Sequence, residues 1–307
     1  MKFCLTIVAW GDWHLDQLET HGLPSLRAPG NLDEIYYRIS AWTRPADEAR
    51  LSLLLSGLKA DVKFTLHDDV KGDQATANST VQACNVWDRT VAAKNREAWG
   101  LVAPDMVWGE GAWAHHRYAL EHGKRAVFRP LLRVDSSKTG TIRDFSKRNL
   151  ARLALECEHQ TSKDFYRADG RQFSAHPEMI IWDAPGGLIN RTTTADVQTC
   201  FPAAVELNGV GLPRYSLKDS MEVVTDSDQM IALAMAAPDK TFLFRGNKPL
   251  SVDGVRGFLR TFPSPACKYV AQHSYRLHDD LVNFARWEEP ERRAKEFIDR
   301  VFSDAVG

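Results

Sequence analysis

An α/β fold is the architecture this sequence predicts: a mostly parallel sheet flanked by helices in a Rossmann-like layer, with a C-terminal helical extension. Three observations lead to it. Between residues 1 and 135, short apolar runs alternate with helix-length stretches, the pattern of repeated β-α-β units. The intervening segments are long enough for right-handed crossovers between parallel strands. Several apolar runs end in acidic or Gly-bearing turns, where an open sheet of this kind presents its carboxyl edge to ligands.

Strand one spans 3–10 and ends in Gly11-Asp12. A helix follows from Asp12, with Trp13, Leu15, Leu18 and Leu23 toward one side, and stops near Gly22 and Pro24. Strand two spans 34–43, where Ile35, Tyr37 and Ile39 alternate with Tyr36 and Arg38. Pro45-Ala46-Asp47-Glu48 opens a helix with Pro and acids in its first turn, which suits the helix dipole; Gly57 ends it. Strand three is 62–66, followed by His67-Asp68-Asp69, and a long helix covers 78–99. Strand four is 101–107, a helix spans 113–122 and ends at Gly123, and strand five is 126–134. Beyond it, 141–160 reads as a helix and 180–182 as a strand broken by Pro185-Gly186-Gly187. A strand at 221–228 ends in acids, 229–237 reads as a short apolar helix, and 287–301 as a helix packing Trp287, Ala294, Phe297, Ile298 and Val301. The expected organisation is a catalytic unit over 1–240 and an extension over 241–307 packed on it.

Composition excludes several classes. Lys+Arg 39 against Asp+Glu 40 in 307 residues gives a net charge of -1, which argues against a dedicated DNA-wrapping or membrane-surface protein. Cys4, Cys84, Cys157, Cys200 and Cys267 are scattered, odd in number and without a CxxC pair, so they read as buried free thiols. Met1 leads directly into a strand, and no stretch approaches the roughly 18 apolar residues of a spanning helix. A soluble, cytoplasmic protein is expected. Most of the nine tryptophans read as core and rim filler, a minority as possible sugar or nucleobase stacking surfaces.

The common α/β enzyme motifs are absent: no GxGxxG, no GxxxxGK[ST], no GxSxG and no HExxH. In Gly11-Asp12-Trp13-His14 a bulky Trp stands where a dinucleotide needs bare backbone. Three acidic constellations remain. Asp105 with Glu110 follows strand four, where a carboxylate can hold a Mg²⁺ or Mn²⁺ ion bridging two phosphates, or simply cap a turn. Val223-Val224-Thr225-Asp226-Ser227-Asp228 has the form of two carboxylates aimed at one cation. Asp226 equally suits the N-cap of the next helix, and the cap is the reading adopted. The third runs from His176 through Glu178, Trp182, Asp183 and Gly186-Gly187 to Arg191. Here His176 or Asp183 is placed to act as a general base and Arg191 to bind phosphate bidentately; the competing reading is a strand, a tight turn and surface charge. His115-His116 cannot share a helix face, so they cannot both hold one metal, and at least one is expected in solvent.

Four segments carry a resemblance. They are Ile7-Val8-Ala9-Trp10-Gly11-Asp12-Trp13-His14, the run Leu23-Pro24-Ser25-Leu26-Arg27-Ala28-Pro29-Gly30-Asn31-Leu32, the block Pro104-Asp105-Met106-Val107-Trp108-Gly109-Glu110-Gly111, and 176–191. Together they resemble a group of bacterial glycosyltransferase-like proteins of the GT-A type. The resemblance implies a Rossmann-like GT-A fold, a nucleotide-sugar donor and a divalent cation, Mn²⁺ or Mg²⁺. It implies that Trp10, Gly11 and Asp12 contact the nucleotide, with Arg191 on the phosphates. Asp105 would hold the cation, or the sugar hydroxyls without one, and Asp183 or His176 would be the base if the reaction inverts. The sequence departs from the type in two places. Only Asp105 stands where Asp-x-Asp is usual, and Thr192-Thr193-Thr194-Ala195-Asp196 stands where an aromatic, His-rich run is expected. The acceptor is open among saccharide, lipid, protein and modified nucleic-acid base, and the oligomeric state is not legible. The alternative reading is a non-catalytic GT-A-fold protein that binds a nucleotide or saccharide; a metal-dependent hydrolase is weaker still. The expected geometry places Asp105 at the carboxyl edge near Asp12, with His176, Asp183 and Arg191 converging on the same cleft.

Overall fold

The computed structural model describes residues 1–67, 74–175, 177–194, 199–200, 220–239, 248–261, 265–279 and 282–303. In chain order the strands are β1 (Lys2–Val8), β2 (Tyr36–Thr43), β3 (Asp61–Leu66), β4 (Ala98–Leu101), β5 (Met106–Trp108), β6 (Ala126–Phe128) and β7 (Leu132–Asp135). They continue with β8 (Met179–Ala184), β9 (Gly187–Thr192), β10 (Thr199–Cys200), β11 (Met221–Val223), β12 (Ala232–Ala236) and β13 (Tyr275–His278). The helices of the first half are α1 (Gly11–Gln17), α2 (Leu23–Leu26), α3 (Glu48–Leu55), α4 (Gln74–Asn95) and α5 (Ala112–Glu121). Those of the second half are α6 (Ser136–Thr139), α7 (Lys147–Glu156), α8 (Gln160–Phe165), α9 (Val252–Thr261), α10 (Pro265–Ala271) and α11 (Glu288–Ser303).

Among the described residues the largest sheet has seven strands in the order β11-β6-β10-β4-β1-β2-β3. β10 is antiparallel to both neighbours; every other pairing in this sheet is parallel. β1 is buried along nearly its whole length, as a parallel strand covered on both faces must be. The expected α/β class with a helix-flanked, mostly parallel sheet is therefore what the chain adopts. A second sheet, β5-β12-β7, and a third, β13-β9-β8, adjoin it.

Five expected elements come out differently. Strand four divides at a Pro104-Asp105 turn into β4 of the large sheet and β5 of the second. Strand five divides at Arg129-Pro130 into β6 and β7, because Pro130 has no N–H to extend a ladder. The apolar stretch expected as a helix over 229–237 is instead β12, buried at all five positions; a short apolar run does not tell a buried strand from a helix. The helix expected over 141–160 begins at α7, where Ser146 accepts from the Asn149 N–H. The first helix also runs past Pro24. A π-turn at Leu18–Gly22 widens the ladder ahead of the proline, and α2 continues to Leu26.

Residues beyond 240 are not a simple appendage. They supply β13 to the third sheet, and Ala266, Cys267 and Val270 of α10 join Cys4, Trp99, Phe128 and Met221 in one apolar cluster. No described helix is long and apolar enough to cross a membrane.

The large sheet is tied to α4 by one carboxylate. Asp88 is 2% exposed. Its Oδ2 accepts from Thr6 Oγ1 on β1 at 2.7 Å and from Trp42 Nε1 on β2 at 2.9 Å, and Oδ1 accepts from Ser40 Oγ at 2.8 Å. Trp99 Nε1 on β4 donates to Thr6 at 2.8 Å, with the Arg89 guanidinium 3.9 Å from its ring. Asp88→Ala leaves three buried donors without an acceptor. It should cost roughly 3 kcal/mol in urea unfolding, and a loss under about 1 kcal/mol would show that the network is incidental.

Cys4, Cys84, Cys157 and Cys267 are buried and free, as expected; the side chain of Cys200 lies outside the described residues. Burial pushes the Cys4 and Cys84 thiols up to about 12. Both should stay unmodified by a thiol reagent at neutral pH in the native protein, as read by peptide mass mapping, and react once the chain is unfolded.

Candidate functional site

The carboxyl ends of the parallel strands form one edge. From β1 to β11 it spans four strand spacings, about 19 Å. The order of strands reverses between β1 and β4, the switch point at which doubly wound sheets open a crevice.

At the β1 end, Trp10 packs beside Val8, Trp42 and Cys84, and its carbonyl is 3.0 Å from His14 Nδ1. Gly11 has φ +70, a left-handed conformation that favours glycine. Its N–H donates to Asp47 Oδ2 at 2.9 Å, and Arg44 Nε donates to the same oxygen at 2.7 Å. Burial alone would raise the Asp47 pKa, but Arg44 and the Gly11 N–H outweigh it and hold the carboxyl below the usual range. The Asp12 side chain is 95% exposed, 3.6 Å from Arg50. Asp47 and Arg44 thus fix and flank the β1 turn. In the sequence, Asp47 shows only as an acid in a first helical turn.

Among the described residues the chain crosses from the large sheet to the second sheet three times, through 102–105 between β4 and β5, through 129–131 between β6 and β7, and through 224–231 between β11 and β12. Asp105 lies in the first crossing. Its carbonyl accepts from Met235 N at 2.8 Å, near the end of β12. Gly22, roughly 16 Å along the α1 helix and π-turn from Gly11, packs against the Pro104 carbonyl. Two segments singled out in the sequence meet beside this crossing. Asn31 Nδ2 donates to Ser25 O at 2.8 Å and Gly109 O at 3.2 Å, and its Oδ1 accepts from Trp113 N at 3.1 Å. Ser25 Oγ accepts from Trp108 N at 3.1 Å, and Gly30 lies against Gly111 so closely that a Cβ there would come 2.8 Å from its Cα. The Leu23–Leu32 run and the Trp108–Gly111 block therefore build one joint that sets the start of α5.

The last crossing, at 224–231, gathers chemistry. Asp226, Asp228 and His278 each present a ligand atom within 4.8 Å of the others. His278 Nε2 is 3.1 Å from Asp226 Oδ1, which also accepts from Asp228 N at 2.8 Å. The intervening Ser227 staples the loop to β13. Its Oγ donates to His278 O at 3.1 Å and accepts from His278 N at 3.2 Å, and its N–H donates to Arg276 O at 2.9 Å. Lys147 Nζ donates to the Asp228 and Gln229 carbonyls at 2.8 and 3.0 Å. Phe284 and Trp287 meet the His278 ring edge to face at 5.4 and 6.2 Å and fix its plane. Two carboxylates and one imidazole form a donor set that suits Mn²⁺ and admits Mg²⁺. The Asp226 cap is real but serves a turn before a strand, not a helix. Asp105 is not among the residues whose ligand atoms meet there; its carbonyl contact is to Met235, near the end of β12.

The third constellation is dispersed. In the antiparallel third sheet Gly187 lies opposite His278 and Leu188 opposite Leu277. The Gly-Gly turn thus borders the triad. Asp183 pairs with Leu188, so alternation points it to the face opposite His278, and its Oδ1 takes Arg167 at 2.8 Å. Arg191 is 4% exposed. It donates to the Ala271 and Gln272 carbonyls at 3.3 and 2.5 Å and reaches Glu291 at 3.4 Å, bracing β9 against α10 and α11. His176 lies outside the described residues. Neither residue of the His115-His116 pair is exposed: His116 is fully buried against Trp108 and Trp113, and burial holds its pKa well below the ordinary value. His115 is partly buried, 3.8 Å from Glu222.

No family model and no curated protein matches the chain. Solved structures give distant likenesses. Residues 1–349 of TarS from S. aureus, solved in complex with UDP-GlcNAc, align at 12% identity over 99% of this chain and 73% of that one, with a TM-score of 0.38. Mouse xyloside xylosyltransferase 1 in its apo form aligns at 10% identity over 44% of this chain and 53% of that one, with a TM-score of 0.31. The 4-diphosphocytidyl-2C-methyl-D-erythritol synthase of Anaerococcus prevotii aligns at 11% identity over 47% and 63%, with a TM-score of 0.28. The match spans about half the length of the xylosyltransferase. These likenesses are too slight to carry an activity over to this chain.

A Cβ at Gly187 would run into the Leu277 carbonyl and come within 3.0 Å of the Trp287 ring. Gly187→Ala should therefore separate β9 from β13 and cost about 3 kcal/mol in thermal unfolding. An unchanged Tm would show that the two strands are not in tight register beside His278.

Proposed function

We propose that this chain is a GT-A-type glycosyltransferase using a nucleotide-sugar donor, with Asp226, Asp228 and His278 as the seat of a divalent cation. The observation that carries the reading is the convergence of these three side chains at the carboxyl end of β11, on an edge that also holds the β1 turn. The sequence resemblance supports the transferase class and the nucleotide-sugar donor from separate residues, while the cation seat adopted here differs from the Asp105 it implied. A cation bound there would neutralise charge building on the departing diphosphate. Ser227 and the Phe284–Trp287 pair hold the ligand atoms in place before any ligand arrives, so little reorganisation is needed. At the far end of the edge, Trp10 offers an indole face and Gly11 bare backbone to the nucleoside. Asp105 and Arg191 are read as structural in this arrangement, and the acceptor is left unassigned.

Release of nucleoside diphosphate from a panel of nucleotide sugars, with and without Mn²⁺, tests the proposal. Wild-type turnover should require the metal. Asp228→Asn should lower kcat about 100-fold, equivalent to roughly 2.7 kcal/mol, with little change in Tm. Asp105→Asn should retain metal-dependent turnover. Donor binding without release from any donor would favour the non-catalytic nucleotide- or saccharide-binding protein. Full turnover in Asp228→Asn would remove the triad from the site.

A further inference from the structure

The loop that carries Asp226 and Asp228 is tied to three neighbouring elements. Ser227 pins it to β13, the strand that brings His278. Lys147, the first residue of α7, holds the carbonyls of Asp228 and Gln229 at 2.8 and 3.0 Å. The third tie is the side chain of Gln229. Its Oε1 accepts from Thr225 N at 3.1 Å, and its Nε2 donates to Glu222 Oε1 on β11 at 3.0 Å. One amide thus spans the loop, from the backbone just ahead of Asp226 to the residue just after Asp228, and anchors both to the strand. The backbone closes the same turn, because Gln229 N and Met230 N both donate to Asp226 O, at 3.1 and 3.2 Å.

Exposure shows which group needs this tie. His278 is buried and Asp226 half-buried, but Asp228 is exposed, so packing does least to fix it. A glutamine meets both demands of the position. Its carbonyl accepts the Thr225 N–H while its NH₂ donates to a carboxylate; a glutamate would set one carboxylate against another. His115 Nε2 lies 3.8 Å from the same Glu222 oxygen, beyond hydrogen-bond reach, and burial lowers its pKa, so it does not displace the amide at neutral pH.

We propose that Gln229, anchored by Glu222, is a positioning residue for the cation seat, acting through Asp228 to hold its carboxylate toward Asp226 and His278. The inference rests on the cation seat proposed above. Groups that orient the ligands of a metal site typically govern its affinity by about 10- to 100-fold, without contacting the ion.

Mn²⁺ titration of the full chain, read by the electron paramagnetic resonance signal of the free ion and paired with thermal unfolding, tests this. Gln229→Ala should weaken Mn²⁺ binding by about tenfold or more. Its two bonds lie at or near the surface, so Tm should change little. Glu222→Ala should weaken binding similarly, and the double variant should be no weaker than either single one, since both remove one tie. Glu222→Gln keeps an oxygen acceptor for Gln229 and should bind Mn²⁺ nearly as the wild type does, which separates the tie from the charge of Glu222. Wild-type affinity in Gln229→Ala, additive losses in the double variant, or equal losses in Glu222→Gln and Glu222→Ala would overturn the positioning role and leave the cation seat standing. A fall of several degrees in the Tm of Gln229→Ala would make the residue a general brace and overturn it as well. If the wild type binds no Mn²⁺, or Asp228→Asn binds it equally well, the seat itself falls and the positioning role falls with it.

Discussion

A buried carboxylate organises the sheet. A carboxyl group as deep as Asp88 is tolerated only when its oxygens are matched, and here Thr6, Ser40 and Trp42 supply the donors from two adjacent strands. Because one side chain on α4 takes donors from β1 and β2, the helix, the two strands and Trp99 of β4 share a single register. That register sets where β1 stops, and so where Trp10 and Gly11 stand on the carboxyl edge. Asp47 then fixes the turn itself from the start of α3.

The opposite end of the edge is built by a crossing rather than by a strand. β11 is only three residues long, and the chain leaves it for the second sheet through a loop pinned to β13 by Ser227, Thr225 and Arg276. The pinning brings a histidine from residue 278 beside carboxylates from 226 and 228. Bare backbone at Gly187 lets β9 approach β13 at the same point. Sheet packing, loop hydrogen bonds and the triad are thus one arrangement.

Much of this was legible in the sequence where periodicity is strong. β1 to β3, the long α4 and the amphipathic α11 all fall close to where their patterns place them. The divided strands at Pro104-Asp105 and Arg129-Pro130 were not, because an apolar run does not show that it changes sheets partway. The same ambiguity made β12 look helical. Asp226-Ser227-Asp228 was visible as a motif, and its cap reading captured the Asp228 N–H bond. What the sequence hid was the third member, fifty residues later on a strand whose pairing no local pattern reveals. Arg191 shows the converse. Proximity to a Gly-Gly turn made it look like a phosphate ligand, whereas burial commits it to two backbone carbonyls and Glu291. The Leu23–Leu32 run and the Trp108–Gly111 block stand out in the sequence for a physical reason: their side chains and glycines are consumed in a single close joint.

The proposed site depends on one divalent cation being held jointly by two carboxylates and His278. Pulsed electron paramagnetic resonance of Mn²⁺ added to the full chain reads this directly, because a coordinating imidazole nitrogen modulates the echo. The wild type should show that nitrogen coupling, and His278→Gln should lose it while the chain stays folded. Mn²⁺ bound without nitrogen coupling, nitrogen coupling that survives in His278→Gln, or no bound Mn²⁺ at all would contradict the account.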